Sequence, residues 1–112
     1  MSGRLALLTL LAAGAAFGQS TQGMIAGRVV NFRNDDAVGE AAISWTNVTT
    51  GLNGKGRAGP AGYYTLAPLS PGTYTVRAEA PGYRAAEIQQ LELAVAGRLD
   101  LDFQLHEQTK TT

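Results

Sequence analysis

Residues 62–83 read Gly-Tyr-Tyr-Thr-Leu-Ala-Pro-Leu-Ser-Pro-Gly-Thr-Tyr-Thr-Val-Arg-Ala-Glu-Ala-Pro-Gly-Tyr, and this stretch decides the fold class. Tyr64, Leu66 and Leu69 form one apolar series. Tyr74, Val76, Ala78 and Ala80 form a second, with Thr73, Thr75, Arg77 and Glu79 between them. Alternation with period two places successive side chains on opposite faces of a strand. Each run closes on a Pro-Gly dipeptide, Pro71-Gly72 and Pro81-Gly82. Proline presets φ for a turn and glycine accepts positive φ. The stretch therefore predicts strand, tight turn, strand, tight turn.

Working outward, the same punctuation recurs along the chain. Its 14 glycines and 4 prolines fall between short apolar runs, the pattern of an all-β domain rich in turns. A first strand is expected over Met24 to Val30, with Ile25 and Val29 on one face and Gly27 between them marking a bulge or a close backbone approach. Asn31 to Gly39 is a polar loop. Ala41 to Val48 is a second strand, with Ile43 and Trp45 sharing the core face. Glycines 51, 54, 56, 59 and 62 predict a ragged edge strand or a mobile loop over 51–62. Residues 84–96 fit two periods: Leu91, Leu93 and Val95 alternate, whereas Ile88, Leu91 and Val95 are spaced as on a helix. The surrounding strands favour strand. Leu99, Leu101, Phe103 and Leu105 alternate with polar residues as one clean strand, and His106 to Thr112 is a polar tail. Seven short strands with turns between them predict a β-sandwich.

The N-terminus carries a different signal. Arg4 precedes an apolar run from Leu5 to Phe17, and Ala16 and Gly18 stand three and one residues before a cleavage point at Gln19. This is a secretory leader pattern, and the run is shorter than the roughly 20 residues of a spanning helix. The expected organisation is a leader over 1–18, one domain over 19–105 and a tail over 106–112. The chain has no cysteine, which excludes disulfide and thiolate chemistry and a lipid anchor on cysteine. Its 9 basic and 9 acidic residues are dispersed, so no basic surface for nucleic acid is expected.

The order of Gly27-Arg-Val-Val30, Ala41 to Gly51, Gly62-Tyr-Tyr-Thr-Leu66, Leu69-Ser-Pro-Gly-Thr-Tyr-Thr-Val76, Pro81-Gly-Tyr83 and Leu99-Asp-Leu-Asp-Phe-Gln-Leu105 resembles the carboxypeptidase regulatory-like domain. That resemblance implies a Greek-key sandwich of transthyretin-like (prealbumin-like) or starch-binding-like type, and no enzyme activity. With a leader in front, it further resembles the N-terminal accessory domain of TonB-dependent outer-membrane receptors. It implies the periplasm or outer membrane as location, and a protein partner or a receptor's own plug and barrel as the contact. The chain is too short to include either, which implies a fragment, a truncated product or a stand-alone module. The family's usual Thr-Asp-x-x-Gly turn is replaced by Ala58-Gly-Pro-Ala-Gly62, so no contact of that aspartate is carried over.

Catalytic chemistry finds little support. His106 is the sole histidine and has no cysteine to share a metal. Asp35, Asp36 and Glu40 match no calcium-loop spacing, and Asp100 and Asp102 read as a solvent face. No cofactor and no metal are expected. Asn47-Val48-Thr49 is a formal glycosylation sequence. Sugar binding is the alternative function, through exposed aromatic rings. Trp45, Tyr64 and Tyr74 fall on core faces, leaving Tyr63 and Tyr83 as the candidate ligand-binding residues. A regulatory domain associated with a carboxypeptidase is a further alternative.

Overall fold

The computed structural model describes residues 21–108. The leader expected over 1–18 lies outside the described residues. Among the described residues eight strands follow in order: β1 (Gly23–Asn31), β2 (Ala42–Asn47), β3 (Asn53–Arg57), β4 (Tyr63–Leu69), β5 (Gly72–Glu79), β6 (Ala86–Leu93), β7 (Arg98–Asp100) and β8 (Phe103–Leu105). One sheet runs β4-β1-β7, with β8 continuing beside β1; the other runs β3-β2-β5-β6. The chain crosses between sheets after β1, β3, β4 and β6, and the two layers form a Greek-key sandwich.

The core is what the alternation dictates. Ile25, Val29, Tyr64, Leu66, Leu69, Phe103 and Leu105 from the first sheet meet Ile43, Tyr74, Val76, Ala78 and Leu93 from the second. Burying each large apolar side chain stabilises the fold by about 1.5–3 kcal/mol. Tyr64 tilts against Phe103 at 6.2 Å between centroids and Trp45 against Tyr74 at 5.7 Å. Trp45 is only half-buried, at the margin of the core.

Two elements depart from expectation, the glycine-rich segment and the closing strand, and a third, β6, is the expected strand with a bulge in it. The glycine-rich segment is a regular strand. Gly54 and Gly56 point inward, opposite Trp45 and Ile43 of β2, while Asn53, Lys55 and Arg57 face solvent. A Cβ on Gly54 would lie 2.6 Å from Cζ2 of Trp45, and one on Gly56 would lie 3.1 Å from Cδ2 of Leu66. The glycines are vacated space under larger neighbours, as where an aromatic covers a strand glycine.

Residues 86–93 form a strand, and their helix-like spacing has a local cause. The register with β5 shifts between Tyr74 and Val76, and Gln90 adopts φ 61°. A β-bulge changes the phase, so Ile88 and Leu91 fall on the same face three residues apart. Val95 is 64% exposed and belongs to neither face.

The closing strand is two. β7 and β8 pair with β1 in parallel with the same offset, Ala26↔Asp100 and Val29↔Phe103, but the ladder is interrupted between them. The expected count of seven becomes eight for this reason. Residues 106–108, expected as the start of a polar tail, are hydrogen-bonded to residues 82–84. Arg84 N donates to His106 O at 2.8 Å, Gln108 N donates to Gly82 O at 2.8 Å, and Tyr83 bridges Glu107.

Candidate functional surface

The break in the last strand shapes the outer surface of the first sheet. A Cβ on Gly27 would stand 1.8 Å from Leu101 O, so only glycine admits the closing segment here. Leu101 N donates to Ala26 O, while the Tyr64 hydroxyl donates to Leu101 O. Arg28 N would lose its ladder partner at this point. The Asp102 carboxylate takes that role, accepting from Arg28 N at 2.9 Å. Burial, and then the Asp102 charge, push the Tyr64 phenol above the ordinary tyrosine range and keep it a donor.

Arg28 and Asp102 then stand as a ridge between two open clefts. The first, about 610 Å³, is lined by Val30, Ala86, Ile88 and Phe103, with Arg28, Asp35, Asp102 and Gln104 also bordering it. The second, about 590 Å³, includes Tyr63, Thr65, Arg98 and Asp100. Both volumes fall in the range of small-ligand sites. Arg28 is held on two sides: its Nε donates to Ala61 O at 3.0 Å, and its guanidinium carbon lies 5.0 Å over the Tyr63 ring. Antiparallel pairing sets Arg28 directly opposite Tyr63, which explains the cation–π contact. Arg98 and Asp100 pair at 3.1 Å across the same surface.

Tyr63, expected to be exposed, is 63% exposed. Tyr83, also expected to be exposed, is half-buried, because its ring packs against the core and its hydroxyl accepts from Asn31 Nδ2 at 3.2 Å. The two tyrosines line different clefts, Tyr83 standing with Ala80, Pro81 and Arg84. Asp102 is exposed as expected but serves the backbone of β1. Asp35, Asp36 and Glu40 are exposed. Among the described residues no three His, Asp or Glu side chains gather as a metal site. His106 stacks on Phe32 at 4.1 Å. Asn47 is 1% exposed: its Oδ1 accepts from Thr49 N and Thr50 N, and its Nδ2 reaches Pro71 O. It caps a turn and is closed to modification.

Sequence reasoning missed the Arg28–Asp102 ridge. Its available signal was a single cation on the outer face of a strand otherwise built of apolar and small residues, Met24 to Val30. This surface can stack and hydrogen-bond a ligand: it offers a ring, two guanidinium groups and two carboxylates.

Two packed sheets with a closing strand parallel to the first define the chain as a transthyretin-like β-sandwich. It belongs to the carboxypeptidase regulatory-like domain family, whose sequence profile matches residues 24–106. Among solved structures, the fold is similar to a candidate carbohydrate-binding protein from Bacteroides uniformis (TM-score 0.61, 20% identity, 74% of this chain and 40% of that one). It is also similar to hydroxyquinol 1,2-dioxygenase from Pseudomonas putida (0.63, 10%, 80% and 57%) and to the pilus 2b backbone protein of group B streptococcus (0.57, 15%, 78% and 42%). At these identities the likeness is one of fold, and the chain spans less than two thirds of each of these proteins. No curated protein sequence matches it.

Proposed function

We propose that this domain is a non-catalytic interaction module of the cell envelope, exported by its leader and carried as the N-terminal accessory domain of a TonB-dependent outer-membrane receptor. The observation that supports this is a family domain over 24–106 placed directly behind the Arg4–Gly18 leader pattern. The domain acts by contact, with a protein partner or with the receptor's own plug and barrel. Fractionation of an expressing Gram-negative cell tests the export step: the expected product is periplasmic or membrane-associated and begins at Gln19. A cytoplasmic chain that keeps Met1 would overturn it. Reading the gene past codon 112 tests the receptor step, since the proposal requires an in-frame plug and barrel.

A second reading is favoured by the Tyr63 surface. An exposed ring flanked by Arg28, Arg98 and Asp100 matches what a sugar needs, a flat apolar face beside charged hydrogen-bonding groups. The fold likeness to a candidate carbohydrate-binding protein supports it. Titration calorimetry against soluble oligosaccharides should then show binding that Tyr63→Ala abolishes while the melting temperature holds. No binding to any glycan would retire this reading.

A further inference from the structure

The two edges of the β3-β2-β5-β6 sheet carry opposite charge. The register of β2 with β3, together with Asn47 N donating to Leu52 O and Ala58 N donating to Ala41 O, commits Gly54 and Gly56 to bonds with β2. Asn53, Lys55 and Arg57 therefore turn both their backbone groups toward the open edge and their side chains toward solvent. Among the described residues neither Lys55 nor Arg57 has an ion-pair partner; Arg57 Nη1 donates to the Glu40 carbonyl at 2.9 Å.

The opposite edge is built on the same alternation of bonded and outward-facing residues. Val48 N donates to Thr73 O, which commits Thr73, Thr75 and Arg77 of β5 to β2 and leaves Tyr74, Val76 and Ala78 bonded to β6. On β6 the residues bonded to β5 are then Ala86, Ile88 and Leu91. Glu87 and Glu92 turn their backbones toward the other open edge, with their side chains exposed on the solvent face. Glu87 accepts from Gln89 Nε2 at 2.8 Å on its own strand, and its other oxygen lies 3.7 Å from Arg77.

Charges on edge strands ordinarily guard against pairing. That guard works when the edges that meet carry like charge, and here they do not. We propose that copies of this chain associate head to tail, β6 of one copy adding to β3 of the next. The neighbouring pairs β3–β2, β2–β5 and β5–β6 are all antiparallel, so a copy displaced along the sheet brings its β6 antiparallel to β3. Inner faces stay inner and outer faces outer. Glu87 of the second copy then stands opposite Lys55 or Arg57 on the outer face. A two-fold pairing of β3 with itself is the weaker alternative, since about its centre it would set Lys55 against Lys55. A head-to-tail contact does not close on itself, so it yields a series of oligomers rather than one dimer.

Sedimentation velocity on the protein as recovered from cells tests this. The weight-average mass should rise over roughly a hundredfold range of concentration, and fall again as salt screens the edge charges. Lys55→Glu/Arg57→Glu makes both edges acidic, and Glu87→Lys/Glu92→Lys makes both basic. Each double variant, shown folded by circular dichroism, should associate about tenfold more weakly alone, and the mixture of the two should regain the wild-type association. Lys55→Pro should abolish association, because it removes an edge donor. A monomer at every concentration overturns the proposal. So does an oligomer that the charge-reversed variants form as readily as the wild type, or a mixture that fails to recover association.

Discussion

Gly27 and Tyr64 settle one question together, how the closing segment passes across β1. The absence of a side chain at Gly27 lets the Leu101 carbonyl come close, and the Tyr64 hydroxyl gives that carbonyl its donor. A buried carbonyl without a partner costs about 1–3 kcal/mol, so Tyr64→Phe should destabilise the fold by that order. It should also change the pH dependence. Tyr64 holds its proton more tightly in the folded chain than in the unfolded one, whose tyrosine value is 10.0. Its contribution is therefore complete below that pH and declines above it, by about 1.4 kcal/mol per pH unit while only the unfolded chain ionises. Urea unfolding followed from pH 8 to 11 should show this alkaline slope in the wild type and a shallower one in Tyr64→Phe.

At the scale of the element, β3 shows why glycine content alone misleads. In an isolated strand glycine costs backbone entropy and packs nothing. In this sandwich Gly54 lies under the Trp45 indole, and a larger residue would have to displace it. Gly54→Val gains strand propensity of at most about 1 kcal/mol but forces a clash that costs about 1–3 kcal/mol. A net loss of stability is expected, with a red-shifted emission as the indole, the chain's single tryptophan, moves into water. Chemical denaturation and the fluorescence spectrum check both. β6 teaches a related lesson. The three-residue spacing of Ile88 and Leu91 is the mark of a helix in one context and of a bulge in another, and only the partner strand distinguishes them.

Across the whole molecule, one end of the sandwich is closed by Asn31. Asn31 is 3% exposed, and its side chain joins its own loop to two distant segments: Nδ2 donates to Glu107 Oε2 at 2.8 Å and to the Tyr83 hydroxyl, while Oδ1 accepts from Arg33 N. Glu107 also pairs with Arg33 at 3.3 Å, but that Arg33 side chain is 76% exposed and contributes little. Glu107→Ala should therefore cost about 1–2 kcal/mol through Asn31, while Arg33→Ala stays near zero. Hydrogen exchange over 82–84 and 106–108 should quicken in the first variant alone. This linkage also explains why a stretch that reads as a polar tail is docked: its polar groups have buried partners far away in sequence.

The strands, their inward faces and the family are local and ordered properties, and the chain carries them openly. Tyr64, Leu66, Tyr74 and Val76 declare their face by alternation alone. Pairing is not local. The break between β7 and β8, the packing that accepts Gly54, the half-burial of Tyr83 and the Arg28–Asp102 ridge each arise where residues separated by long stretches of chain compete for the same space or the same hydrogen bond. Periodicity says which way a side chain points; it does not say what will be waiting there.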